Sequence, residues 1–153
     1  KLCVGHRGKG RIDIAAPVRQ NVLRVADAMN RDVKDMVVVV LDRERHEAII
    51  REVRDTGARV KLISDGDVSP AVSVGIEGSG VHMLIGVGGA PEGVIAAAAL
   101  KCLGGDMQAR LWPEGEEDIE RAKKLGITDG FERTSYLELL ESLNITDLKV
   151  IAL

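Results

Sequence analysis

Three short clusters in this chain carry side chains suited to anions and hydroxyl groups. Arg43-Glu44-Arg45 sets two guanidinium forks around a carboxylate, and Asp65-Gly66-Asp67 sets two carboxylates around a glycine. The third, Gly86-Val87-Gly88-Gly89-Ala90-Pro91-Glu92-Gly93, is a glycine turn that closes on a proline and a glutamate. Arginine forks match phosphate oxygens two at a time, while carboxylates accept hydrogen bonds from sugar hydroxyls or ligate Mg²⁺ or Mn²⁺. Glycines let backbone N–H groups come close to a ligand. Pro91 suits a helix start, and the free N–H groups there favour phosphate or carboxylate. The combined chemistry is that of a phosphorylated, polyhydroxylated small molecule.

Each cluster also has a plainer reading. Arg43 and Arg45 could form surface ion pairs at the start of a helix. Asp67 has the type and place of a helix N-cap, and Glu92 would complement a helix dipole. His46 and His82 read as structural residues rather than catalytic ones, and Arg7 and Lys9 as a solvated opening segment. The functional reading therefore needs the three clusters to meet, which depends on the elements that carry them.

Those elements alternate. Met36-Val37-Val38-Val39-Val40-Leu41 is short, continuous and β-branched, the pattern of a strand covered on both faces. Arg59 to Ile63 and Val81 to Ile85 read as further strands, and each of the three stops at one of the clusters. Helices are predicted from Ala16 through Met29, through Ile49 to a stop at Gly57, over 68–75 and over 91–103. Leu2 to Val4 suits the end of a strand and residues 11–14 a short extended piece. Asp106 to Trp112 reads as a strand, Glu116 to Leu125 and Ser135 to Leu143 as helices, and Lys149 to Leu153 as a last strand. Strand and helix at this spacing imply an α/β fold, a mostly parallel sheet with helices on both faces, in one domain over 1–153. Ligands of such sheets bind beyond the carboxyl ends of the strands, so the clusters are expected along one edge.

Composition narrows the function class. A net charge of −3 and a single Phe, Trp and Tyr exclude a basic, aromatic nucleic-acid surface. The longest apolar run, 94–100, is too short to span a membrane, and no signal pattern opens the chain. Cys3 and Cys102 lack partners at metal spacing, so a reducing, cytoplasmic setting is expected. The turn at Gly86 begins like a dinucleotide fingerprint, but Pro91 occupies the third glycine position and no acid ends a following strand. Nucleotide binding is therefore the weaker alternative.

The segments 40–46, 63–68, 86–94 and 103–111 together resemble the C-terminal half of the class II fructose-1,6-bisphosphatases, some of which are similar to dual fructose/sedoheptulose bisphosphatases. The resemblance runs in order from about Lys1 to Arg110, and is poor beyond about Gly130. It implies the C-terminal lobe of a sugar-phosphatase fold. The implied activity is metal-dependent hydrolysis of the C1 phosphate of fructose 1,6-bisphosphate in gluconeogenesis, with Mn²⁺ or Mg²⁺ assisting water attack. Position by position it implies substrate contacts at Arg43, Glu44, Arg45, Asp65, Gly66, Asp67 and Gly89, and a metal ligand at Glu92. The remaining metal carboxylates would come from an N-terminal half that this sequence lacks, so this chain alone is expected to be inactive. A homo-oligomer is expected. The competing reading is a non-catalytic module that holds a phosphosugar or a nucleotide.

Overall fold

The computed structural model describes residues 1–110, 112 and 115–124. Strand β2 (Val37–Leu41) lies inside the sheet because it has no polar residue to leave in water. Its valines alternate between two cores. Val38 and Val40 face one with Leu2, Val4, Met83 and Ile85, whereas Val39 faces the other with Cys3, Leu84 and Met107. The five strands lie in the order β3-β2-β4-β1-β5. They are β1 (Leu2–Val4), β2, β3 (Arg59–Ile63), β4 (Met83–Ile85) and β5 (Asp106–Gln108).

Helices cover both faces. On the first, α1 (Val18–Ala28) and α2 (Glu47–Asp55) bury Val22, Val25, Ile50 and Val53 against the sheet. Gly57, at a φ of 90° that only glycine adopts freely, turns the chain from α2 into β3. On the second face, α3 (Val68–Ser73) and α4 (Ala90–Cys102) bury Ala71, Val74 and the run Ala96 to Leu100. The alanines leave α4 thin enough to lie close to the sheet. Helix α5 (Glu116–Lys124) follows β5. Among the described residues no helix is long and apolar enough to cross a membrane.

The α/β class and its two helical layers agree with the sequence, but the sheet is mixed. β2 pairs in parallel with β3 and β4, while β1 lies antiparallel between β4 and β5. A three-residue strand such as Leu2-Cys3-Val4 carries no signal of its direction. Residues 11–14 are not a strand either. Gln108, almost fully buried, accepts from the Ile14 N–H at 2.8 Å and donates to the Ile12 carbonyl at 2.9 Å. Asn21 likewise accepts from the Asp13 N–H at 2.7 Å and returns a hydrogen bond to its carbonyl at 2.8 Å. Two side-chain amides thus do for this segment what a neighbouring strand would do.

Smaller differences lie at element ends. β4 begins at Met83 rather than Val81, because His82 turns to the preceding end of β2. β5 stops at Gln108, and Trp112 is 57% exposed with the Arg110 guanidinium 5.1 Å above its ring. The helix expected at 135–143 and the strand expected at 149–153 lie outside the described residues.

Candidate functional site

The carboxyl ends of β2, β3 and β4 open onto one edge because these strands are parallel. The loops that follow do more than share it: they converge on three consecutive residues of the glycine turn. Arg45 donates to the Val87 carbonyl at 3.2 Å. The Asp67 carboxylate lies against Gly88, and the Glu92 carboxylate folds back over Gly89, the N-cap of α4. A side chain at either glycine would collide with these carboxylates. Arg45, Asp67 and Glu92 therefore occupy one rim, as the pattern of strands and clusters predicts.

His46 locks the rim from beneath. It is fully buried, with Nδ1 2.8 Å from the Leu41 carbonyl, while Nε2 accepts the Val87 N–H at 2.8 Å. Those two partners place the proton on Nδ1. The ring also packs on Gly86, where an added Cβ would stand 3.3 Å from it. The structural role read for His46 is what the geometry shows: it ties the end of β2 to the turn after β4.

Arg43, Glu44 and Arg45 are exposed at the start of a single 3₁₀ turn that leads into α2. Arg43 donates to the carbonyl of Asp42 at 2.8 Å. Neither arginine has a carboxylate within ion-pair distance among the described residues, so surface ion pairing does not account for them. Asp65 is exposed and accepts the Gly66 N–H at 2.8 Å, while Gly66 turns at a φ of 75°.

Asp67 behaves differently from Asp65. It is the N-cap residue of α3, as its place in the sequence predicts, but its side chain makes no capping hydrogen bond. Its carboxylate instead lies 2.7 Å from the Lys1 ammonium, with side-chain exposures of 6% and 5%. Lys1 Nζ makes no hydrogen bond of good geometry among the described residues, so the attraction is Coulombic. Lys1 is a rim residue that the sequence reading missed. It reaches the rim only because β1 runs antiparallel, placing Leu2 beside Ile85 and letting Gly86 N–H donate to the Lys1 carbonyl at 3.0 Å.

Among the described residues no three His, Cys, Asp or Glu side chains gather closely enough to hold a metal ion. A hard divalent cation takes about six oxygen ligands, and Glu92 offers a single carboxylate. The described residues alone therefore do not complete a metal site.

The edge thus presents guanidinium forks and a glycine turn at a helix start, beyond the carboxyl ends of the strands, where α/β sheets take their ligands. Comparison with known proteins then supplies the family. The profile described as bacterial fructose-1,6-bisphosphatase, glpX-encoded, matches residues 1–146, and the chain belongs to that family. The match continues past Gly130, where the resemblance had weakened, and so includes most of the tail.

The chain is 45% identical to the D-fructose 1,6-bisphosphatase class 2/sedoheptulose 1,7-bisphosphatase of Synechococcus sp. (strain JA-3-3Ab), covering 84% of this chain and 41% of that protein. It is 44% identical to the protein of that name from Microcystis aeruginosa, over 96% of this chain and 41% of the relative. The Gloeobacter violaceus protein of the same name is 50% identical over 72% of this chain and 32% of its own length. The chain thus spans about two fifths of the curated relatives it matches.

Proposed function

We propose that this chain is the substrate-binding lobe of a class II sugar bisphosphatase that hydrolyses the C1 phosphate of fructose 1,6-bisphosphate, the step that serves gluconeogenesis. The convergence of the loops after β2 and β3 on Val87 and Gly88, next to the Glu92 carboxylate over Gly89, carries the reading. Arg43 and Arg45 grip a phosphate with their forks, and the glycine turn offers backbone N–H groups beside it. Glu44, Asp65 and Asp67 orient sugar hydroxyls by accepting hydrogen bonds from them. Asp67 can do so while paired, since a carboxylate has about four acceptor sites and Lys1 faces one oxygen. Gly66 shapes the turn between the two aspartates, and Gly89 leaves room for the ligand and the Glu92 carboxylate.

Glu92 would be one ligand of an Mn²⁺ or Mg²⁺ ion, its other ligands lying outside the described residues. Bound there, the ion would act as Lewis acid and water activator. The complete enzyme is cytoplasmic and homo-oligomeric in this reading.

Calorimetry of the chain with fructose 1,6-bisphosphate provides the test, run with a phosphate-release assay. Binding without release is expected, weakened about tenfold or more by Arg45→Ala. In the complete enzyme Glu92→Ala is expected to lower metal-dependent turnover about 10²-fold or more. Binding of NAD or ATP, with none of the bisphosphate, would overturn the reading.

A further inference from the structure

The opposite edge of the sheet carries a second concentration of positive charge. Where β2, β3 and β4 begin and β1 ends, the loops enclose an open cavity of about 690 Å³. That volume suits a small-molecule ligand. Three arginines line it, Arg7, Arg31 and Arg59, together with His6 and His82. Two carboxylates line it as well: Asp35 is paired with Arg59 at 3.3 Å, and Glu77, mostly exposed, lies 3.5 Å from His6, a pair only when that imidazole is protonated. Arg7 and Arg31 have no carboxylate within ion-pair distance among the described residues.

Two of these side chains, Arg7 and His82, are held in place. Arg7 donates to the Met29 carbonyl at 2.6 Å, which spends one of its five N–H groups and fixes the rest of the fork. His82 is clamped to the first residue of β2: its N–H donates to the Val37 carbonyl at 3.0 Å and its Nδ1 accepts the Val37 N–H at 2.8 Å. Nδ1 being the acceptor, the ring proton resides on Nε2, which makes His82 a neutral donor. Burial and the nearby charge of Arg31 favour that neutral form. Val37 and Val81 give the cavity apolar surface, and Ile76, 49% exposed, adds a bare aliphatic wall.

We propose that this cavity binds a small organic phosphate, its dianionic head held by Arg7, Arg31 and His82 and its carbon body resting on Val37 and Ile76. Paired forks plus a neutral N–H donor suit tetrahedral phosphate oxygens, and the aliphatic wall favours an ester over inorganic phosphate. The site stands independently of the reading of the rim.

Phenyl phosphate titrated into the ¹⁵N-labelled chain tests it, with backbone amide shifts as the readout. Saturable shifts at residues 5–8, 31 and 79–82 are expected, at lower concentration than with inorganic phosphate. Arg31→Ala, an exposed position, should weaken them about tenfold or more, and Arg7→Gln should act alike from the other wall. The proposal fails if shifts are confined to 42–46, 65–67 and 86–93, or absent up to about 10 mM, or if both variants bind like the parent. The rim amides report separately on the proposed substrate lobe, so either site can fail without the other.

Discussion

Asp67 is withdrawn from water against Lys1, so the two charges depend on each other. Asp67→Ala leaves a buried ammonium with no counter-charge, and a loss of about 3–5 kcal/mol in denaturant unfolding is expected. Replacing both partners together, Lys1→Met with Asp67→Leu, should recover most of it, because an apolar pair needs no hydration. The two turn glycines separate packing from function. The Gly88→Ala methyl meets a carboxylate that its ion pair holds still, and a cost of about 1–3 kcal/mol is expected. The Gly89→Ala methyl meets the tip of an exposed, flexible Glu92, so stability should change by less than about 0.5 kcal/mol. Any effect of Gly89→Ala on substrate or metal in the complete enzyme then reports on Glu92. Arg43, Arg45 and Glu92 were legible as rim candidates because type and strand end coincide; Lys1 was not, since one lysine before an apolar triplet signals nothing.

The alternation of β-branched runs with helical spacing fixes β2, β3 and the four helices that pack on the sheet, to within two residues at most ends. What it leaves out is pairing direction and any segment whose backbone is satisfied by side chains, as with Gln108 and residues 12–14. His82 shows such a bond at work, accepting the Val37 N–H where β2 begins. Burial first, then Arg31, lowers its pKa from the ordinary value of 6.5. The unfolded chain therefore takes up a proton more readily than the folded one. This contribution is complete above about pH 6.5 and is lost as pH falls below it towards the folded pKa. Urea midpoints at about pH 7.5 and 5.5 should fall less in His82→Asn, whose amide oxygen can accept the same N–H without titrating.

Two cores lie on either side of one sheet, and Cys3 is fully buried in the second, on β1. Burial pushes its thiol up to about 12, so it carries almost no thiolate at neutral pH. Under native conditions a thiol reagent should modify Cys102, which is exposed, and reach Cys3 at the rate of global unfolding. Cys3 reacting as fast as Cys102 would mean that β1 detaches by itself. At this scale the edge that unites the three clusters could be read from the order of strands and helices, since parallel strands end together. The charged cavity at the other edge could not, because its arginines come from loops with no common spacing.

The turn after β4 is met at successive residues, Gly86, Val87 and Gly88, by three separate parts of the chain, Lys1, Arg45 and Asp67, with an imidazole wedged below. Moving it by even one bond length would slacken every tether together. Such a rim is either seated or released, with little between, and an anion landing on it meets a surface already in its final shape.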